Sequence, residues 1–579
     1  MNKKVLIVGG VAGGASAAAR LRRLDEKAEI IMFERDEHIS FANCGLPYYI
    51  GEVIKDRDKL LVQTPDAMKA RFNIDVRIFS EVTHVDTKNK KVTVQSKNKG
   101  TYEEGYDYVI LSPGTKALKP PIPGIDHDTI FTLRNIADTD AIKAYVDKNE
   151  TKSAVVIGGG YIGVEMAENL KERGLEVVLC EAAPHILAPF DSDMVVMAEK
   201  ELTDHGIKLL LHDGVKAFNE SGKQIQVVLN SDTKLHADIA ILAIGVAPDT
   251  AFLNDSGLEF GPRGHIIVNE NMQTNIDGVY AVGDAIQVMD FITKRETAIP
   301  LAGPANKQGR IAADNICAIH STYKGTQGTS IIKVFNIVAA STGANERTLQ
   351  RFTIPYKVIY VHPMSHASYY PDARPMALKL IFNEEGKILG AQGIGYEGVD
   401  KRIDVIATTI RLGGTVEDLT ELELCYAPPF SSAKDPVNMA GFVAQNVLAR
   451  RSHMVAWKDI ANHDKDDYTL IDVRTEEEFK SGHIDGAVNI PVDSLRDRIH
   501  ELDQNKTIIE YCQVGIRGYI ADRILSQNGF HVLNVTGGYK TSSILSFNPK
   551  IVSKSDEMNL EEYTKDITMD PDTQTIKKR

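Results

Sequence analysis

Gly9-Gly10-Val11-Ala12-Gly13-Gly14 separates the apolar run Lys4–Val8 from the alanine-rich run 15–21. A strand, a tight glycine turn and a helix in this order bring backbone N–H groups and a helix N-terminus up to a pyrophosphate. A second apolar run, Glu29–Phe33, ends at Glu34, which follows Gly14 by 20 residues and is placed to bond a ribose hydroxyl. Val11 stands where the motif has its middle glycine. The stretch predicts a dinucleotide-binding fold, the alternative being a glycine turn in an ordinary βαβ unit.

The same pattern returns in full at Gly158-Gly159-Gly160-Tyr161-Ile162-Gly163. The strand Ser153–Ile157 is predicted before it and a helix over 164–173 after it. The next predicted strand, Glu176–Cys180, ends at Glu181, 18 residues beyond Gly163. A carboxylate there bonds the free ribose hydroxyls of NADH and repels the extra phosphate of NADPH, and no arginine follows it directly. We therefore expect NADH, with NADPH as an alternative.

Composition narrows the class of protein. A chain of 579 residues predicts three or four domains, and a net charge of −13 disfavours binding to nucleic acid. No run is long and apolar enough for a membrane span or signal peptide, so a cytoplasmic protein is expected. The cysteines are Cys44, Cys180, Cys317, Cys425 and Cys512. They are too few and too scattered for a disulfide framework, and none form a CxxC metal pair. In a reducing compartment, a cysteine in a distinctive motif is therefore expected to be catalytic and not structural.

The segment from Thr274 to Asp284, with its Gly283-Asp284 pair, indicates that the first fold resumes after the second. Two nested dinucleotide folds, with junction segments at 109–115 and 244–248, resemble the flavoprotein disulfide reductases over about residues 1 to 450. The resemblance implies FAD at the N-terminal site, NAD(P)H at the inserted site, and a bond from Asp284 to the flavin ribityl chain. It also implies a homodimer in which each dimerisation domain completes the partner's active site.

The resemblance assigns cofactor binding to a set of residues along both folds. They are Gly9, Gly10, Ala12, Gly13, Gly14, Glu34, Arg35, Ser112, Gly114, Gly158, Gly160, Tyr161, Ile162, Gly163, Glu181, Gly245, Gly283, Asp284, Pro300 and Ala302.

A different domain is predicted after residue 455. Its strand 469–474, the segment 476–491 and the loop around Cys512 resemble a single rhodanese domain. The expected fold class is α/β: two nested Rossmann-like domains, an α+β dimerisation domain and an α/β rhodanese domain. We expect FAD binding at 1–150 and 250–329, NAD(P)H binding at 151–249, dimerisation at 330–450 and rhodanese at 455–550. The charged tail 551–579 is expected to be disordered.

Cys44 is the predicted redox centre. Disulfide reductases commonly carry C-x-x-x-x-C, but the second position here is Tyr49. A single redox cysteine must cycle through a mixed disulfide with a small thiol or through a sulfenic acid. The pattern Ser-Phe-x-x-Cys-Gly-x-Pro is shared by NADH oxidases and peroxidases, coenzyme A-disulfide reductases and coenzyme A persulfide reductases. The oxidases and peroxidases usually have a histidine in the first glycine turn, where this chain has Ala12.

Arg20 and Arg23 lie three residues apart and so on one face of the first helix, where they could anchor the phosphates of coenzyme A. The alternative is a solvated helix face. The resemblance implies further coenzyme A contacts from Ser16, Ser40, Asn43, Arg71, Asn306 and Lys434. It also places Tyr369 and Tyr426 near the sulfur, where a phenol could donate a proton to a leaving thiolate; interface packing is the alternative.

Cys512 begins a loop of the form C-x-x-G-x-R-G that runs into a predicted helix at 519–527. Successive backbone N–H groups and a helix N-terminus would lower the pKa of the thiol and hold a terminal sulfur anion. Arg517 adds positive charge or orients an anionic sulfur donor. The resemblance implies that Cys512 carries sulfane sulfur as a persulfide, and a purely structural cysteine is the alternative.

These observations give three hypotheses. In the first, NADH and FAD reduce coenzyme A disulfide, or persulfides and polysulfides of coenzyme A, through Cys44, and Cys512 handles sulfane sulfur. In the second, the protein is an NADH oxidase or peroxidase whose Cys44 cycles through a sulfenic acid. In the third, it is a non-enzymatic redox sensor or sulfur carrier, which two intact dinucleotide sites disfavour.

Overall fold

The computed structural model describes residues 3–148 and 150–547, together with three short strands at 557–559, 567–569 and 576–578. The chain forms two compact units. Unit 1 comprises residues 1–184, 210–326 and 552–579, and unit 2 comprises 185–209 and 327–551. Within the described ranges, every helix is too short or too polar to cross a bilayer.

The first sheet of unit 1 is parallel and has five strands in the order Val279–Ala281, Tyr108–Leu111, Lys4–Val8, Glu29–Phe33, Asp75–Arg77. Val8 pairs with both Phe33 and Leu111, so these three strands end level with one another. The glycine turn, Glu34 and Ser112 therefore leave the sheet at one edge, where ligands of such sheets bind. The contribution of residues 279–281 agrees with the prediction that the first fold resumes late in the chain.

The second sheet has five strands, and the four that belong wholly to unit 1 are parallel, in the order Glu176–Cys180, Ser153–Ile157, Ile239–Leu242, Ile130–Phe131. Its strands are rich in valine and isoleucine and are buried almost throughout, as expected of strands covered on both faces. The predicted junction segments meet, because Thr115–Ala117 pairs antiparallel with Val246–Pro248.

The other elements of unit 1 surround these sheets. The helices are Ala12–Leu24, Leu46–Ile50, Pro65–Phe72, Ile136–Val146, Tyr161–Glu172 and Ala302–Ile316, with 3-10 turns at Asn43–Gly45, Arg57–Leu60, Ala251–Leu253 and Gly283–Ala285. The smaller sheets are Ser80–Asp86 with Lys91–Ser96 and Gly100–Gly105; Val215–Ser221 with Gln224–Leu229, Lys234–Ala237 and Glu557–Asn559; Ile266–Ile267 with Ile286–Met289 and Glu296–Thr297; and Ile567–Met569 with Ile576–Lys578. The strand Lys208–Leu210 ends where unit 1 resumes.

Unit 2 contains an antiparallel sheet in the order Ser330–Val334, Ile337–Gly343, Ile388–Gly395, Met376–Phe382, Lys357–Val361. The helices of this part are Ser192–Asp204, Glu346–Arg351, Val399–Leu412, Val416–Glu421 and Pro436–Leu448. Helix Val399–Leu412 packs on the sheet through Val399 and Ile403, against Gly393, which has no side chain to obstruct it.

The C-terminal part of unit 2 has a parallel sheet in the order Met454–Val455, Val532–Val535, Thr507–Tyr511, Tyr468–Asp472, Val488–Asn489. Its helices are Trp457–Ile460, Glu476–Ser481, Leu495–Arg498, Ile516–Gln527 and Gly538–Leu545, with a 3-10 turn at Ile499–Glu501. Buried aliphatic residues from strands and helices form its core, and Cys512 lies within that core.

The predicted domain boundaries stay predictions. The two compact units do not correspond to the four predicted domains, and residues 185–209, predicted to lie in the NAD(P)H-binding domain, belong to unit 2. The tail 551–579, predicted to be disordered, lies outside the described residues apart from its three short strands.

Candidate active site

The first glycine turn is built so that two backbones touch. Gly9 has φ of +94°, and a Cβ there would lie 2.1 Å from the carbonyl oxygen of Ser112. A Cβ on Gly14 would lie 1.9 Å from the carbonyl oxygen of Gly9, so the helix packs directly on the strand that precedes it. Glu34 Oε2 accepts the Gly10 N–H at 2.9 Å and thereby holds the turn. The predicted bond from Glu34 to a ribose stays a prediction.

The second glycine turn repeats this construction. Gly158 has φ of +106°, and a Cβ on Gly163 would lie 1.8 Å from the Gly158 carbonyl oxygen. Glu181 accepts the N–H of Gly159 at 2.6 Å and that of Ala183 at 2.7 Å. A Cβ on Gly160 would meet no described atom within 4 Å, so the backbone of Gly160 faces open space.

Both glycine helices, Ala12–Leu24 and Tyr161–Glu172, begin without a side-chain cap. Other helices of the chain are capped, for example by Thr64 and Asn135. A bound phosphate can satisfy the N–H groups that an uncapped helix leaves free, and the helix dipole favours its charge. The residues at both turns therefore fit a dinucleotide.

Six further residues predicted to bind cofactors lie in loops or first helical turns of unit 1: Arg35, Ser112, Gly114, Gly245, Pro300 and Ala302. Gly114 and Gly245 have φ of +68° and +122°, a region that favours glycine. Arg35 donates to Asp249 at 2.5 Å, an ion pair that the sequence did not predict. Ala12, Tyr161 and Ile162 stand in the first turns of the glycine helices, and Gly13 packs close to Val282.

Asp284 and Arg134 form a polar pair beside the first sheet. Gly283 N–H donates to Gln308 Oε1 at 2.8 Å, and Asp284 Oδ2 lies 3.9 Å from Arg134 Nη2. Burial raises the pKa of Asp284, and the charge of Arg134 opposes this rise. Arg134 Nε is buried and has no hydrogen-bond partner among the described residues, so a polar group of a ligand would fit here.

Cys44 lies in the 3-10 turn Asn43–Gly45, directly before helix Leu46–Ile50. Its side chain is exposed, yet neighbouring protein atoms desolvate the thiol enough to raise its pKa. The negative charges of Glu165 and Asp284 raise this pKa further. Tyr49, at the position of the second cysteine of typical disulfide reductases, leaves Cys44 without a partner sulfur in the segment.

Glu165 is a residue that sequence reasoning missed. It lies on helix Tyr161–Glu172, and Tyr48 OH donates to its Oε1 at 3.3 Å. Burial raises the pKa of Glu165 to about 7; the Tyr48 hydrogen bond lowers it, and Glu168 raises it. The only sequence signal was an acid two residues beyond the second glycine motif.

A cavity of about 370 Å³ in unit 1 brings together five of the eight residues predicted to bind coenzyme A. These are Ser16, Arg20, Arg23, Ser40 and Asn306, and the same cavity is lined by Gln63, Met68, Phe72 and Arg310, which were not predicted. Ser16 Oγ donates to Asn306 Oδ1 at 2.5 Å, while Arg20 Nε pairs with Asp314 at 2.7 Å. The cavity thus presents cations and amides beside an apolar wall.

The other three predicted residues do not line this cavity. Asn43 adjoins Cys44, Arg71 precedes Phe72 on helix Pro65–Phe72, and Lys434 belongs to unit 2. Unit 2 also carries the predicted tyrosines, whose hydroxyls lie 2.9 Å apart on exposed side chains, Tyr369 and Tyr426.

The loop of Cys512 directs N–H groups at its sulfur. Gly515 N–H donates to Sγ at 3.1 Å. Burial raises the pKa of Cys512 and Glu510 raises it further, whereas the N–H groups of Gly518, Gly515 and Val514 lower it. The N–H groups therefore lower the pKa of Cys512 as predicted, but burial and Glu510 outweigh them and the pKa is raised overall. The helix begins at Ile516, three residues before its predicted start.

Arg517 and Glu510 flank this loop. Arg517 pairs with both oxygens of Glu478, at 2.5 and 2.7 Å, and holds the pKa of Glu478 at about 2. The positive charge predicted at Arg517 is thus partly neutralised by a carboxylate that the sequence did not single out. Glu510 is fully buried, and both its oxygens lack a hydrogen-bond partner within the described part of the chain, so its pKa is raised well above the usual range.

Two dinucleotide folds with an exposed cysteine beyond the first define a pyridine-nucleotide-dependent oxidoreductase, here joined to a rhodanese-like domain. The chain belongs to the pyridine nucleotide-disulphide oxidoreductase family, whose model matches residues 3–309. The family's dimerisation domain matches residues 329–436, and the rhodanese-like domain matches residues 457–542.

Individual proteins agree with this assignment. Coenzyme A disulfide reductase of Staphylococcus aureus is 37% identical over 445 residues, covering 76% of this chain and 100% of the relative. The crystal structure of reduced Bacillus anthracis CoADR-RHD matches with a TM-score of 0.92 and 52% identity, over 94% of this chain and 98% of that one. An NAD-dependent persulfide reductase from A. fulgidus matches with a TM-score of 0.87 and 32% identity, over 94% and 100%.

These findings confirm the predicted family and fold class. The protein is an oxidoreductase enzyme that uses FAD and a pyridine nucleotide. The roles of individual site residues stay predictions.

Proposed function

We propose that this protein uses NADH and FAD to reduce coenzyme A disulfide and coenzyme A persulfides at Cys44, while Cys512 accepts sulfane sulfur. The observation that carries the proposal is the segment from Ser40 to Cys44. Ser40 lines the cavity that also presents Arg20 and Arg23, and Cys44, four residues on, has no sulfur partner of its own. A phosphorylated thiol would supply both the anion and the second sulfur.

Coenzyme A disulfide would be reduced in two thiol exchange steps. The Cys44 thiolate attacks one sulfur, which releases one coenzyme A thiolate and leaves a mixed disulfide between Cys44 and the second coenzyme A. FAD, when bound, supplies the two electrons of NADH that reduce this mixed disulfide. The second coenzyme A then leaves as a thiol, and Cys44 is again a thiolate.

A coenzyme A persulfide would enter the same cycle. Cys44 attacks the sulfur bonded to the pantetheine carbon, so the outer sulfur leaves as hydrosulfide and the same mixed disulfide remains. The net reaction consumes NADH and a proton and yields coenzyme A and hydrogen sulfide. In either step, one of the Tyr369 and Tyr426 hydroxyls would donate a proton to the leaving thiolate or hydrosulfide.

Cys512 would supply the persulfide. Its thiolate attacks the sulfane sulfur of a donor, the donor anion leaves, and the terminal sulfur stays bonded to Sγ. The Gly515 N–H, already directed at Sγ, would help to hold the terminal sulfur anion. Attack by a coenzyme A thiolate on that outer sulfur returns the Cys512 thiolate and forms coenzyme A persulfide.

We also infer a homodimer, a cytoplasmic location and a preference for NADH. The matched dimerisation domain supports the first, and five free cysteines suit a reducing compartment. Glu181, which holds the second glycine turn, supports the third, because a carboxylate beside the ribose would repel the extra phosphate of NADPH. The oxidase or peroxidase alternative has less support, because Ala12 offers no proton donor beside a sulfenic acid.

The proposal is tested with Cys44→Ser and Cys512→Ser. We expect Cys44→Ser to lose NADH-dependent reduction of coenzyme A disulfide by about 10³-fold or more, since the nucleophile is removed. Thiosulfate sulfurtransferase activity should stay, and Cys512→Ser should show the reverse pattern. Mass spectrometry should find a coenzyme A adduct on the Cys44 peptide. Wild-type reductase rates in Cys44→Ser, or oxygen or peroxide consumption faster than disulfide reduction, would overturn the proposal.

A further inference from the structure

Two loops of unit 2 carry the tyrosine hydroxyls. The Tyr369 loop comprises residues 362–375, and the Tyr426 loop comprises residues 422–435. The hydroxyls lie 2.9 Å apart, but both side chains are exposed, so this single hydrogen bond fixes the loops only weakly.

A buried guanidinium joins the bases of the two loops. Arg402, on helix Val399–Leu412, is 1% exposed. Its Nη2 donates to the Ser365 carbonyl oxygen of the Tyr369 loop at 3.0 Å. The same nitrogen contacts the Tyr426 loop, at 3.1 Å from Ser431 Oγ and 3.2 Å from Asp435 Oδ2. Three segments distant in sequence therefore meet at one side chain.

The surroundings of Arg402 are shaped to keep it there. Ser431 Oγ donates to Asp435 Oδ2 at 2.7 Å, so both acceptors on the Tyr426 loop are themselves held. Arg402 Nη1 donates to the Gly398 carbonyl oxygen at 3.1 Å. Gly398 has φ of +68°, and a Cβ there would lie 2.2 Å from Nη1, so only glycine leaves room for the guanidinium. The loops also meet directly, since Ala367 N–H donates to the Ser431 carbonyl oxygen at 3.1 Å.

A buried ion pair is weak evidence for stability, because desolvation offsets much of the attraction. The hydrogen-bond geometry of Arg402 is the stronger evidence for its role. A guanidinium has a planar fork of donors that can serve several acceptors at once, which a lysine ammonium on a flexible stem does not reproduce. We propose that Arg402 is a positioning residue that holds the Tyr369 and Tyr426 loops so that both hydroxyls reach the leaving thiolate. This rests on the proposed function, in which those hydroxyls donate the proton.

The test is a double-mutant cycle on the full-length holoenzyme with coenzyme A disulfide. Arg402→Lys keeps the charge and removes the fork, and we expect kcat to fall about tenfold with a smaller change in KM. In a Tyr369→Phe/Tyr426→Phe background the same substitution should change kcat less than about twofold, because the hydroxyls it positions are gone. Arg411→Lys is the matched control: Arg411 lies in the last turn of the same helix, outside both loops, and its substitution should leave kcat unchanged.

NADH-dependent reduction of ferricyanide, which does not need the tyrosines, should stay at the wild-type rate in Arg402→Lys. If Arg402→Lys does not fold, Ser431→Ala removes one acceptor and should give a smaller, equally tyrosine-dependent loss of kcat. Equal fold losses in both backgrounds would assign Arg402 a merely structural role, and an unchanged kcat would also overturn the proposal. If Tyr369→Phe/Tyr426→Phe alone keeps wild-type turnover, the proposed role of the tyrosines fails, and the Arg402 proposal fails with it.

Discussion

At the scale of single residues, Glu165 is placed to control the reactivity of Cys44. Burial brings the pKa of Glu165 to about 7, so this carboxyl is largely neutral at pH 6 and largely ionised at pH 8. Burial is the largest cause of the raised pKa of Cys44, and the negative charge of Glu165 is the next largest. As pH rises through 7, Glu165 becomes ionised, and its carboxylate then repels the Cys44 thiolate.

We therefore expect Glu165→Gln to make Cys44 more reactive at alkaline pH. Glutamine keeps the shape of the side chain and removes its charge. Alkylation of Cys44 by iodoacetamide should accelerate severalfold at pH 8 and change little at pH 6, where the wild-type carboxyl is already protonated. The rates are measured on the Cys44 peptide by mass spectrometry, after a reductant has removed any bound thiol.

Glu172→Gln is the control for this prediction. Glu172 lies on the same helix and is exposed, and the charges that raise the pKa of the Cys44 thiol are those of Glu165 and Asp284. Its substitution should leave the alkylation rate unchanged at both pH values. A Glu165→Gln effect of the same size at pH 6 and pH 8 would show that the charge of Glu165 does not act on Cys44.

At the scale of elements, the turns before the two glycine helices contain glycines that pack against the backbone and a glycine that faces open space. Gly14 and Gly163 let each helix touch the carbonyl oxygen of the first glycine in its turn. Gly160 instead faces open space at a helix N-terminus that has no side-chain cap. Packing glycines and glycines that face open space should therefore respond differently to the same added methyl group.

We expect Gly160→Ala to fold with normal flavin content and to raise the KM for NADH about tenfold, with little change in kcat. The added methyl occupies space that the pyrophosphate backbone contact needs. Gly163→Ala should instead lower the melting temperature, because its Cβ meets a backbone oxygen that cannot move aside. Steady-state kinetics and thermal melting distinguish the two variants, and an unchanged KM in Gly160→Ala would contradict the assignment.

The sequence predicted strands better than helix starts. Lys4–Val8, Glu29–Phe33 and Ser153–Ile157 form as predicted, because short apolar runs rich in branched residues suit a buried sheet. Two helices begin three residues earlier than predicted, at Tyr161 and Ile516. In both, the last residues of the sequence motif are already helical, so counting from the end of the motif misses the first turn of the helix.

The candidate site was predictable where a local motif marks it. Arg20, Arg23 and Ser40 were identified and do line one cavity. Arg310 and Gln63 were not, because they reach that cavity from segments distant in sequence and belong to no motif. Arg402 was missed for the same reason, because it belongs to no motif and its contacts are with two loops distant in sequence.

At the scale of the whole molecule, the proposed homodimer decides which chain supplies the tyrosine hydroxyls to the cysteine. Cys44 belongs to unit 1, and Tyr369 and Tyr426 belong to unit 2. The proposed homodimer offers the cysteine two candidate tyrosine pairs, its own and that of the partner protomer. A closed two-fold dimer presents each interface residue twice, so two damaged chains can restore one intact site.

Co-expression of differently tagged Cys44→Ser and Tyr369→Phe/Tyr426→Phe chains tests this arrangement. If the tyrosines serve the partner protomer, the purified heterodimer has one site without either component and one complete site, formed by wild-type Cys44 and the tyrosines of the Cys44→Ser chain. We expect about half of wild-type turnover per heterodimer with coenzyme A disulfide, well above both parent homodimers. If the tyrosines serve their own chain, no complete site forms, and turnover stays at the mean of the two parents. That result would contradict a site shared between protomers.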